Sequence, residues 1–139
     1  MSIFTVTLLD DDRCHIKHEL AGSEIETDLP PEYGGGGRAF SSTDLVSAAL
    51  GTCTITSISK ILEREGYDPR QLRIEVTKEL SHNPKMIKAI KLMITHPNAF
   101  NEQLLKKLDK ATKSCPVKRS LHDDVTIEIT FHVGYPGDQ

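Results

Sequence analysis

The chain is short of several things, and each shortage closes off a class of function. It has no long polar low-complexity tract, and with 37% apolar and 27% charged residues it reads as globular rather than disordered. It has no basic surplus. Its net charge of -3 argues against a dedicated nucleic-acid binder. No run approaches the ~20 apolar residues of a membrane span, and no N-terminal secretory signal is visible, so the expected location is cytoplasmic. The three cysteines, Cys14, Cys53 and Cys115, are odd in number and show no CxxC spacing, so neither a disulfide scaffold nor a zinc knuckle is expected. In a reducing compartment, a cysteine pair that oxidises points to catalysis or redox sensing.

Other sites are excluded by missing partners. Gly34 to Gly37 lacks the lysine and hydroxyl residue that end a phosphate loop, and no GxSxG elbow is present. Cys14 and His18 share one face of an alternating segment, but two ligands do not make a metal site, and His15, His82, His96, His122 and His132 are scattered. No metal and no cofactor is expected. Lys106, Lys107, Lys110, Lys113, Lys118 and Arg119 form a basic cluster that reads mainly as a solvated helix face.

At 139 residues, the length fits one domain spanning residues 1–139. Ile3 to Leu9, Cys14 to Leu20 and Ser23 to Leu29 read as three antiparallel strands joined by Asp10-Asp11-Asp12 and Ala21-Gly22. Pro30-Pro31 ends them, and Tyr33 to Arg38 reads as a flexible glycine loop. A helix follows, with Ser41 or Ser42 as N-cap, Asp44 in its first turn and Gly66 beyond its last residue, Glu65. Leu45 to Cys53 carries no charge, so that half is expected to be buried all round, which implies a partner subunit. Leu72 to Leu80 and Met86 to Thr95 alternate as a hairpin, and Pro97 stops the second strand. Asn101 to Lys113 is amphipathic through Leu104, Leu105, Leu108 and Ala111, and Pro116 opens a short helix to Leu121. Val125 to Val133 closes the chain as a half-buried strand, with Gly134 to Gln139 a loose tail. The sum is an α+β domain, βββ-α-ββ-αα-β.

The cysteines differ in setting. Cys53 lies mid-helix, where a free cysteine packs as a small hydrophobe and the helix dipole gives little help to a thiolate. As a nucleophile it would need a nearby cation. Cys115 precedes Pro116, which puts it near a helix start where backbone N–H groups favour a thiolate and a good leaving group.

The run Ser41-Ser42-Thr43-Asp44-Leu45-Val46-Ser47-Ala48-Ala49-Leu50-Gly51-Thr52-Cys53-Thr54, followed by Lys113-Ser114-Cys115-Pro116-Val117, resembles the OsmC/Ohr family of osmotically inducible and organic-hydroperoxide-resistance proteins. The order of elements matches it over essentially the whole chain. The resemblance implies the OsmC-like α+β fold and an intertwined homodimer with both active sites at the subunit interface. It implies that Cys53 attacks a hydroperoxide, that Cys115 resolves the sulfenic acid as a disulfide, and that an external dithiol, lipoyl-type in one branch, reduces the pair. It also implies an arginine beside the thiolate, for which Arg38 is preferred and Arg13 is the alternative. The family glutamate position holds Thr43 here, and Asp44 is the nearest carboxylate. Besides a thiol peroxidase, the same fold admits a non-enzymatic redox sensor or small-molecule binder, or a structural dimer whose cysteines only pack.

Overall fold

The structure, a computed structural model, describes residues 3–134. Residues 135–139, the remainder of the expected loose tail, lie outside them. The chain divides into two compact units, Met1–Val46 and Ser47–Gln139.

The first unit contains β1 (Phe4–Leu8), β2 (Cys14–His18) and β3 (Glu24–Thr27) as an antiparallel meander in that order. The register pairs Val6 with Ile16 and Ile16 with Ile25, so Phe4, Val6, Leu8, Ile16 and Ile25 share one face. That face is bare in the single chain: Phe4, Val6 and Leu8 are 60–74% exposed. The opposite face is polar, with Arg13–Glu26 and His15–Glu24 pairs both at 3.4 Å.

Helix α1 (Ser42–Arg64) runs about 35 Å from the end of the first unit into the second. It starts in a reciprocal capping box. The Asp44 N–H donates to Ser41 Oγ at 3.1 Å, and the Ser41 N–H donates to Asp44 Oδ2 at 2.9 Å. Its end is a Schellman turn, with Gly66 at φ +86° and the Tyr67 N–H donating to the Leu62 carbonyl at 2.9 Å.

In the second unit, β4 (Arg73–His82) and β5 (Lys85–His96) pair antiparallel, and β6 (Thr126–Val133) adds to β5 in parallel. A parallel addition requires a crossover. Helices α2 (Glu102–Lys113) and α3 (Pro116–Ser120) supply it. Asn101 caps α2, its side chain accepting from the Leu104 N–H at 2.8 Å. Ile90, Leu92 and Ile94 project from one face of β5, the central strand. Ile94 packs with Ile58, Leu62, Leu104 and Leu108, and Ile90 and Leu92 pack with Leu50 and Cys115.

Two expectations need correction. The first half of α1 is not buried all round. Ser47, Leu50, Gly51 and Thr54 are buried, but Thr52 is exposed, Val46 is 38% exposed, and Ala48 and Ala49 are half-buried. The helix lays one face on the core, and in the single chain the other stays open. The second concerns apolar length: α1 is long and apolar enough to cross a membrane by length and composition. Leu50, Ile58 and Leu62, all 0% exposed, nonetheless make it a core helix of this fold.

Candidate active site

Cys53 sits midway along α1, just after the helix passes close to β4. A Cβ on Gly51 would lie 2.9 Å from Val76 Cγ2, so only glycine lets the helix approach the strand this closely. Thr56 Oγ1 at 3.1 Å and Ser57 Oγ at 2.8 Å both donate to the Cys53 carbonyl, so neighbouring hydroxyls turn back onto the helix. Thr54 is the exception. Its Oγ1 is buried with no hydrogen-bond partner among the described residues.

Cys115 is the N-cap residue of α3, with Pro116 in the first helical position. Its side chain makes no cap hydrogen bond, because the sulfur is engaged elsewhere. Cys53 and Cys115 are joined by a disulfide with Cα atoms 6.1 Å apart, within the usual span of such bonds. Their burial inverts the sequence expectation of a deeply buried Cys53. Cys115 is 0% exposed within the Leu50, Ile90 and Leu92 cluster, whereas Cys53 is only half-buried at its margin. A reagent from solvent therefore meets Cys53 first.

Arg38 and Asp44 both line an open groove of about 690 Å³ in the first unit, with Ile25, Glu26 and Phe40. The carboxylate hydrogen-bonded to Arg38 is Asp28. Asp28, 2% exposed, accepts from Arg38 Nε at 2.8 Å and from the Arg38 backbone N–H at 3.1 Å. The hydrogen bond from the Arg38 side chain, reinforced by that backbone N–H, holds the Asp28 carboxyl down at about 2 against the opposing effect of burial. Asp28 in turn raises the Arg38 guanidinium above its ordinary value. Asp44 stands in the capping box of α1. Arg13, the alternative arginine, reaches Glu26 at 3.4 Å.

The expected flexible glycine loop is in fact the wall around this pair. A Cβ on Gly36 would lie 2.6 Å from Arg38 Nε, and one on Gly35 would lie 2.0 Å from the Leu29 carbonyl oxygen. Sequence reasoning missed Asp28. Its only signal was an acid set between a strand and Pro30-Pro31, which marks a turn as readily as a site.

Among the described residues no group of three or more His, Cys, Asp or Glu side chains could hold a metal ion. Cys14 and His18 stand at opposite ends of β2, roughly 13 Å apart along the strand, too far to share an ion. The basic cluster lies largely exposed on α2 and α3, with Lys106, Lys107 and Lys113 paired to Glu102, Glu65 and Asp109 at 2.9–3.2 Å.

The family model described as OsmC-like protein matches residues 34–130, well over half of the chain. The chain belongs to the OsmC-like family. Its fold is the OsmC-like α+β fold, shared with solved structures from several organisms. A Psychrobacter arcticus 273-4 protein named for osmotic stress induction and detoxification response is 30% identical, with 95% of this chain and 96% of that one covered and a TM-score of 0.89. An organic hydroperoxide resistance protein OsmC from Legionella pneumophila shares the fold at 18% identity, with a TM-score of 0.76 over 96% and 97% of the two chains. The uncharacterized protein YmaD of Bacillus subtilis (strain 168) is 25% identical over 118 residues, 79% of each chain. Membership of this family supports a redox or peroxide-related role.

Proposed function

We propose that this OsmC-like protein is a thiol-dependent peroxidase that reduces organic hydroperoxides. The observation that carries the reading is the disulfide between a half-buried Cys53 and a fully buried Cys115. The Cys53 thiolate attacks the terminal peroxide oxygen and the O–O bond breaks. Cys53 is oxidised to the sulfenic acid, and the alkoxide leaves to take a proton from water as the alcohol. The Cys115 thiol then condenses with the sulfenic acid, forming the S–S bond and releasing water. An external dithiol, of lipoyl type or similar, restores both thiols by two exchange steps and is itself oxidised to a disulfide.

Arg38 is the cation assigned by resemblance to keep the attacking sulfur ionised and to stabilise the departing oxygen. A guanidinium suits this role because it stays charged across the working pH range. The functional form is a homodimer, a reading supported by the bare apolar face of Phe4, Val6 and Leu8 and by the open side of α1.

The test is consumption of cumene hydroperoxide by the reduced protein supplied with dihydrolipoamide or dithiothreitol. Turnover should vanish in Cys53→Ser, and its survival there would sink the mechanism. In Cys115→Ser, mass spectrometry after peroxide should find Cys53 stalled as the sulfenic acid or overoxidised. A wild-type protein that forms no Cys53–Cys115 disulfide under peroxide would remove the resolving step.

A further inference from the structure

The carboxylate of Asp28 receives three donors from one short stretch of chain. Arg38 Nε and the Arg38 backbone N–H both reach Oδ2, at 2.8 and 3.1 Å, and the Gly36 N–H points to Oδ1 at 3.5 Å. The Asp28 N–H donates to the Phe40 carbonyl at 3.0 Å, so the backbone on both sides of Arg38 is tied to this one aspartate. Glycine at 36 leaves room for this arrangement, because a Cβ there would lie 2.6 Å from Arg38 Nε and 3.1 Å from Asp28 Oδ2 and would push the guanidinium aside. The bond uses the inner edge of the guanidinium. Among the described residues no carboxylate is bonded to its Nη1 or Nη2, and the side chain, 51% exposed, lines the groove with Ile25 and Phe40.

We propose that Asp28 is the positioning residue of Arg38. It locks the guanidinium by its Nε edge and leaves both terminal amino groups to bind the anionic group that Arg38 serves in the proposed reaction. The assignment rests on the peroxidase reading for that last step, but the lock itself does not. It gives Asp28 the place that the sequence pattern offered to Asp44, whose carboxylate instead caps α1. A fixed arginine is worth more than a mobile one, since a charge aimed in advance costs no reorganisation when negative charge develops. The buried anion is tolerable because it is paired with a guanidinium and hydrogen-bonded at Oδ2 by two donors.

The experiment combines an activity cycle with a local probe. The rate of Cys53 oxidation by cumene hydroperoxide is measured in wild type, Asp28→Asn, Arg38→Ala and the double variant. Asp28→Asn and Arg38→Ala should each slow it on the order of ten- to a hundredfold, and the double variant should be no slower than Arg38→Ala alone. Losses that multiply, or an Asp28→Asn rate within about twofold of wild type while Arg38→Ala fails, would overturn the assignment.

Should Asp28→Asn not fold, Arg38→Lys replaces it: lysine keeps the charge without the Nε edge and should fall to the alanine level, whereas a wild-type rate refutes the lock. In parallel, hydrogen exchange of the Arg38 Nε–H is followed by NMR, slow in wild type and accelerated in Asp28→Asn. Equal exchange in the two proteins overturns the proposal whatever the activity. If instead Cys53→Ser retains turnover, the peroxidase reading falls, and the exchange measurement still decides the role of Asp28.

Discussion

Opening the Cys53–Cys115 bond should lower the stability of this protein by a calculable amount. The bond closes a loop across a sequence separation of 62, and the chain-entropy relation for a loop of that length gives about 4 kcal/mol at 25 °C. An unfolding entropy of roughly 2.1 cal/mol/K per residue over 139 residues is about 290 cal/mol/K. The oxidised form should therefore melt about 10–15 °C above the reduced form, the lower end reflecting residual compactness of the unfolded chain. The assay is differential scanning calorimetry of peroxide-treated and dithiothreitol-treated protein at one protein concentration, because melting of the proposed dimer would depend on concentration. Cys115→Ser, which lacks the bond in either state, should melt at the same temperature after both treatments. If wild-type melting temperatures coincide within about 2 °C, or if Cys115→Ser shows the same shift, the loop-closure reasoning is refuted.

Further expectations concern the core, the acid limb, the first helical turn and the bare sheet. Ile58→Ala, at a site with 0% exposure, should lose about 2–5 kcal/mol in urea denaturation. The Asp28 carboxyl is depressed from 3.8 to about 2 in the folded state, so its contribution is intact above about pH 4 and lost as pH falls towards 2. Urea midpoints taken across that window should fall less steeply in Asp28→Asn than in wild type. Ser41→Ala removes the cap accepted from the Asp44 N–H and should cost about 1 kcal/mol, read from the same unfolding curves. Sedimentation should give about 31 kDa for wild type, twice the 15.4 kDa chain, and Val6→Asp on the apolar face of β1 should shift it towards monomer.

Where the physics is local, the sequence was legible. Ser41, Asp44 and Gly66 marked the ends of α1 because caps are made by residues within a few positions of one another. The alternation of Ile127, Ile129 and Phe131 marked β6 for the same reason, although Val133 at its end is 63% exposed. The parallel pairing of β6 with β5 depends on how α2 and α3 carry the chain across, which no local pattern encodes. The Asp28–Arg38 pair lies beyond local reading too: its partners are ten residues apart and meet only because the intervening glycines fold back. Burial of Cys53 was overestimated since an uncharged helix segment does not say which of its faces the rest of the chain covers.

The glycine run bears on which changes this chain tolerates. A stretch such as Gly34-Gly35-Gly36-Gly37 is ordinarily treated as a spacer, open to insertion and replacement. Here tolerance should differ from one glycine to the next. Gly34 sits at φ +90° with nothing within 4 Å of a Cβ, so asparagine, which accepts left-handed backbone, is the natural substitute. Gly35 has no room for even a methyl group against the Leu29 backbone, and a methyl group on Gly36 would have to displace the Arg38 side chain. A designer who lengthened or randomised the run would be editing the mould around Arg38.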